Sequence, residues 1–351
     1  MIKHIVCGIG FALALLSLAG AARAEVVQDL YSAEVAVADQ SSAELSRAAR
    51  QGLSEVIVKV SGSEQVLRNP TIASALGDAR NRVEQYSYSS GPGVPPQTYV
   101  KLAFDNAYIT GLVVGAGAPI WTANRPAVLV WLVAEDAAGR VFVNAVAAPA
   151  MDAALRKEFA RRGVPIQLPL HDAADAAALS PDQAWSLDDP ALVLASARYQ
   201  LQDVLVGRVS LLEGGGATGE WNFLQGENQN RRTSTAATEE LFLRDGAALV
   251  AEALAARYSV AASGSEGKVT LAVSGVTAYA DYAAIITWLE GLELIERANV
   301  DSVRGDTITL SLQAKAGAAQ LAAIIELNKR LLPIPLPAGG PGPQLSYQWQ
   351  K

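Results

Sequence analysis

Cysteine and histidine are nearly missing from this chain: its 351 residues hold one cysteine, Cys7, and two histidines, His4 and His171. Zinc prefers those two residue types as ligands, so a zinc centre has too few donors. A cysteine–histidine nucleophile and a disulfide framework are excluded by the same counts. Long apolar runs are also scarce. Ile9–Leu18 falls short of the roughly 20 residues that a spanning helix needs. The uncharged stretch Asn106–Asn124 is broken by Gly111, Gly115, Gly117 and Pro119, which predicts a core helix and a turn and no transmembrane span. Basic residues are in deficit, 28 against 35 acidic ones. That balance argues against nucleic acid and against a polybasic attachment to anionic lipid.

The first residues have the organisation of an export signal. Lys3 supplies a short positive region, Ile9–Leu18 the apolar stretch, and Ala22-Arg23-Ala24 the small-x-small cleavage pattern. Cleavage after Ala24 is expected, with Glu25 opening a periplasmic mature chain. Cys7 has no lipobox before it, so lipid attachment there is not expected. The mature chain carries a formal charge of −9 once Lys3 and Arg23 are gone. Without cysteine it must be held together by core burial, and its length is a prior for two or three domains.

Three α/β segments are expected. Residues 25–121 open with alternation over Tyr31–Val37, a half-buried strand. Ser41 and Glu44 form a capping box before a helix carrying Leu45, Ala48, Leu53, Val56 and Ile57, which ends at Ser61-Gly62. Asn69-Pro70 starts another helix. Strands follow near Val83–Ser89 and Tyr99–Phe104, joined by the Gly/Pro-rich linker 91–96. Asp105 caps a further helix.

Residues 122–262 open on the continuous apolar run Ala127–Val133, the pattern of a strand buried on both faces. Helices at Pro149–Arg162, after Ser180-Pro181 and from Asp189-Pro190 alternate with strands at Val164–Leu168 and Asp203–Val209. A hairpin through Gly214–Gly216 and a helix over Glu239–Tyr258 complete a mixed-sheet α/β sandwich. After a linker at 263–267, residues 263–351 read β-α-β-β-α-β, the ferredoxin-like order, with Leu345, Tyr347 and Trp349 on a fourth strand. The fold class is therefore α/β of the α+β type.

Tyr31–Gln40, Val58-Lys59-Val60-Ser61-Gly62, Asn124-Arg125-Pro126 leading to Val130-Trp131-Leu132, and Ser196-Ala197-Arg198-Tyr199 leading to Val204–Arg208 occur in that order. On these residues the chain resembles domain of unknown function 2066 (DUF2066), a family of exported Gram-negative proteins. That resemblance implies compartment and fold and no activity. The segment around Asp203–Val209 is also similar to TolB N-terminal-like periplasmic accessory domains, which implies a protein that works by contact.

No catalytic set stands out. A Ser/His/Asp triad would have to use His171, and no Gly-x-Ser-x-Gly elbow presents a serine. Ser265-Glu266-Gly267-Lys268 matches Ser-x-x-Lys but lies in a glycine-rich linker, where both side chains stay wet. Asp188-Asp189 precedes a proline as a helix cap and lacks the spaced oxygens of a calcium loop. Trp121, Trp185 and Trp221 read as seam and core packing before sugar stacking. The candidate binding residues are Trp121, Asn124 and Arg125, because an indole beside a guanidinium suits carboxylate or glycan recognition. No cofactor or metal is expected. The sequence reads as a non-enzymatic periplasmic accessory or scaffold protein whose partner is another envelope protein. A module for peptidoglycan or another envelope ligand is the alternative, and a hydrolase the third reading.

Overall fold

A computed structural model describes residues 24–91, 96–137, 139–187, 189–226, 228–261, 267–327, 330–335 and 342–350. The export signal up to Arg23, linker residues 92–95, Asp188 and linker residues 262–266 lie outside the described residues. The expected α+β class is met: helices pack on three main sheets and a two-stranded ribbon.

The N-terminal segment comprises β1 (Ala24–Val26), β2 (Ser32–Val37), α1 (Ser42–Ser61), α2 (Pro70–Gly77), β3 (Val83–Ser90), β4 (Thr98–Phe104) and α3 (Asn106–Gly115). β4 lies between β2 and β3 in an antiparallel sheet. Alternation along β2 and β4 turns Ala33, Val35, Val37, Val100, Leu102 and Phe104 inward. There they join the buried stripe of α1: Leu45, Ala48, Ala49, Leu53, Val56 and Ile57. The Ser41 hydroxyl accepts the Glu44 amide at the start of α1, and Gly62, at φ 76°, ends it in the left-handed conformation.

The middle segment comprises β5 (Asn124–Pro126), β6 (Val128–Asp136), β7 (Gly139–Phe142), α4 (Pro149–Arg162), β8 (Ile166–Gln167), α5 (Ala173–Ala178), α6 (Pro181–Trp185), α7 (Asp189–Ser196), β9 (Asp203–Leu211), β10 (Ala217–Gln225), β11 (Asn228–Ala236) and α8 (Glu239–Tyr258). β5 leaves this sheet and pairs with β1. The sheet runs β11-β10-β9-β6-β7, with β8 also on β6, and only the β6–β9 and β6–β8 pairings are parallel. β6 explains its own apolar run. Val128, Val130, Leu132 and Ala134 face a core with α4 and α8, while Leu129, Trp131 and Val133 face one with α6 and α7. The strand expected over Val164–Leu168 contracts to two residues.

The C-terminal segment comprises β12 (Gly267–Ser274), α9 (Tyr279–Glu290), β13 (Ile295–Arg304), β14 (Thr307–Ala314), α10 (Ala318–Leu327), β15 (Leu331–Pro333) and β16 (Leu345–Trp349). The sheet order is β13-β14-β12-β16-β15. The β-α-β-β-α part follows the ferredoxin-like order. Its close differs: β15 comes first as an edge strand, and the chain reverses so that β16 lies parallel to β12. The strand expected fourth is thus fifth.

One buried cluster runs from Leu53, Val56 and Val113 of the N-terminal segment to Leu271, Leu310 and Ile325 of the C-terminal one. A bridge between Ile120 and Val260 joins the end of the N-terminal segment to the end of the middle one, and the Glu293 carboxylate of the C-terminal segment accepts the Ala123 amide at 2.8 Å.

Candidate functional site

The three binding candidates meet in space, but in the interior. Trp121 and Arg125 are fully buried and Asn124 nearly so. The Arg125 guanidinium lies 3.7 Å from the Trp121 ring centroid. All five of its N–H donors are directed at main-chain carbonyls. Nε donates to Thr122 O, Nη1 to Arg162 O and Gly163 O, and Nη2 to Lys59 O and Trp121 O, at 2.7–3.0 Å. Arg125 therefore cannot serve as the exposed carboxylate or glycan receptor that its neighbours suggested. Its position has a different logic. Lys59 O, Arg162 O and Gly163 O close the C-terminal ends of α1 and α4, where carbonyls lack helical partners and a cation is favoured. Burial lowers the guanidinium pKa to about 9, which leaves it charged at neutral pH.

Lys59 lies alongside. Its ammonium donates to Ser32 O at 2.8 Å and Asp29 O at 3.0 Å. Burial, and then the charge of Arg125, bring its pKa down to about 8.

Next to this junction a cleft of about 280 Å³ opens between α1 and the α4–α8 pair, lined by Gln51, Ser54, Glu55, Val58, Glu64, Leu67, Glu158, Arg161, Arg162 and Arg244. Arg161 donates to Glu55 at 2.6 Å and to both oxygens of Glu158 at 3.1 Å. Arg244 donates to Glu158 at 3.3 Å. Arg162 donates through Nη2 to Glu64 at 2.8 Å, and its buried Nη1 has no partner. Burial depresses the Arg162 pKa, with Glu64 and Glu252 opposing the shift. Sequence reasoning passed over this group. Glu158, Arg161 and Arg162 stand at i, i+3 and i+4 on one helix, a spacing that puts them on one face, but their partners Glu55 and Glu64 are about a hundred residues away in the chain.

The remaining candidates are dispersed. His171 takes φ 53° and packs against Phe142, with ring centroids 5.1 Å apart, and against Trp131 at 5.8 Å. The Asp175 carboxylate beside it accepts the His171 amide, the Tyr199 hydroxyl and Arg198, and no serine among these contacts is presented to the imidazole. Burial lowers the His171 pKa. Lys268 approaches Asp301 at 3.9 Å, while Ser265 lies outside the described residues. Asp189 accepts from Asn222, Gln229 and Arg231. Trp221 is stacked on Phe242 in the core, and half-buried Trp185 lies under Arg140. Among the described residues no group of three or more His, Cys, Asp or Glu could hold a metal ion. No helix among them is long and apolar enough to cross a membrane.

Residues 24–122 match the family model of a domain of unknown function, DUF8605. This overturns the resemblance to DUF2066, and no TolB-like match accompanies it. Of the segments behind both likenesses, residues 58–61 close helix α1, while residues 130–132 and 204–207 lie on the doubly buried strands β6 and β9, whose apolar composition is common to such strands. No curated protein and no solved structure matches the chain. The matched stretch ends at Thr122, one of the residues whose carbonyl Arg125 holds.

Proposed function

We propose that this chain acts by contact and not by turnover, as an exported accessory or scaffold protein of the bacterial envelope. The observation that carries this reading is the Arg125 junction. One buried side chain joins the end of α1, the end of α4 and the ribbon strand β5, so that separate α/β units are pinned to one another. On the face of the middle sheet opposite α4, α7 buries Leu192 and Ala195 but leaves Val193 and Leu194 outside, at 60% and 73% exposure. Two adjacent large apolar side chains on a helix suit a protein contact better than solvent. The alternative in which Trp121 and Arg125 receive glycan loses its contacts, since both are interior.

In-cell crosslinking followed by mass spectrometry tests the proposal. The expected result is a defined envelope protein captured by the wild type and lost from a Val193→Glu, Leu194→Glu double variant that still folds. Background captures alone, unchanged by the double variant, would sink it. Fractionation of the cells checks the compartment separately, the expected result being recovery in the periplasm.

A further inference from the structure

We propose that protonation of His171 opens the segment 170–176 from the middle sheet, making the helical layer α5–α7 a proton-sensitive cover over Trp131 and Phe142. This assignment does not rest on the scaffold reading. His171 takes φ 53° and shares the left-handed conformation with Leu187 and Gln200, which follow α6 and α7. Among the described residues these three are the non-glycine positions with positive φ, so the left-handed strain is gathered in this layer. The layer covers one face of β6 and β9, where Leu179, Ala184 and Leu192 join the core of Trp131, Val133 and Val206.

The half-buried imidazole has no place for a second N–H. Its Nε2 is closed to solvent and has no partner among the described residues. The ring lies 5.1 Å from Phe142 and, at right angles, 5.8 Å from Trp131. An imidazolium donates through both nitrogens, so protonation in place leaves a charged N–H buried without an acceptor, a costly state. The carboxylates that face it are already occupied. On α5, Asp175 accepts Arg198, the Tyr199 hydroxyl and the His171 amide. Asp172 accepts Arg198 and caps the same helix. On α4, Asp152 is paired with Arg156. Along β6 and β7, Glu135 and Arg140 pair with each other two residues beyond Val133 and Phe142. Burial accordingly lowers the His171 pKa against the opposing pull of Asp175 and Asp152. The open segment holds the proton more tightly than the closed one. The closed form thus loses stability as pH falls below the ordinary histidine value of about 6.5, and the loss levels off below the lowered value.

Imidazole NMR and amide hydrogen exchange of the purified full chain, compared between about pH 7.5 and about pH 5, test the device. His171→Asn identifies the ring signals and tolerates the left-handed backbone without titrating. In the wild type the ring is expected to lose the shifts induced by Trp131 and Phe142 in step with its protonation. The amides of Leu170 and His171, bonded to Tyr199 and Asp175, are expected to exchange severalfold faster at the lower pH once the intrinsic pH dependence is removed. Those of β9 and β10 should not change, and the rise should vanish in His171→Asn. A protonated ring that keeps its ring-current shifts would overturn the proposal, because the charge would then be accommodated in place. So would an acid-induced rise of equal size in the variant, or none in the wild type. The ring shifts are read on the wild type alone, so the test stands even if the variant does not fold.

Discussion

Arg125 shows how a residue type chosen for recognition can be used inside a protein. Its planar five-donor fork, suited to carboxylates, here meets five carbonyls. Arg125→Met would leave those carbonyls buried and unpaired, and should cost about 3–5 kcal/mol in urea denaturation. Arg125→Lys keeps the charge but offers three donors, and should fall between the two. Lys59 makes a prediction about pH. Its pKa in the fold is lowered to about 8 by burial and Arg125, so the unfolded chain holds more protons between that value and the ordinary lysine range. Stability should therefore rise with pH from about 8 towards 10, the burial penalty being fully present below 8. Above pH 10 the half-buried Tyr31 and the buried Tyr347, whose pKa values are raised chiefly by desolvation, reverse the slope. Lys59→Met should flatten the rise between pH 7.5 and 9.5 in denaturation curves, whatever it does to the absolute stability.

At the scale of elements, the ends of helices matter more than their interiors. α4 stops at Gly163, at φ 62°, and a Cβ there would lie 2.7 Å from Arg125 Nη1 and 2.8 Å from Lys59 Cγ. Gly305 has the same φ of 62° in the turn between β13 and β14, with open space around it. Gly305→Ala should thus report the backbone cost alone, about 1 kcal/mol. Gly163→Ala should add the overlap and reach about 2–4 kcal/mol; equal thermal shifts for the two would argue against a tight junction. The elements themselves were largely legible. The caps at Ser41, Asn69, Asp105 and Ser180 all accept the amides that the sequence suggested. The shortest pieces were less so: β7 and β15, of four and three residues, are too short for periodicity to register, and β8 keeps only two of the residues expected over Val164–Leu168.

For the whole molecule, the shared core of the first and last segments has a consequence for truncation. A fragment of residues 24–122 spans the stretch that matches the family model but loses Arg125, the Val260 bridge and the Glu293 contact. It should bind a hydrophobic dye and melt without a sharp transition, whereas the full chain melts cooperatively. A fragment with a sharp melt and dispersed amide spectra would instead make the junction a docking of finished domains.

By itself the sequence determined the elements and the two-sided burial of β6, because hydrophobic period and capping chemistry are written within a few neighbouring residues. It also pointed to Trp121, Asn124 and Arg125 as neighbours, which they are. Only the tertiary structure decided that this group is interior, that β16 turns back beside β12, and that Glu55 and Glu64 meet Arg161 and Arg162 across a cleft. Burial and long-range pairing depend on which surfaces of distant segments come together, and a single chain of letters carries no local signal for that.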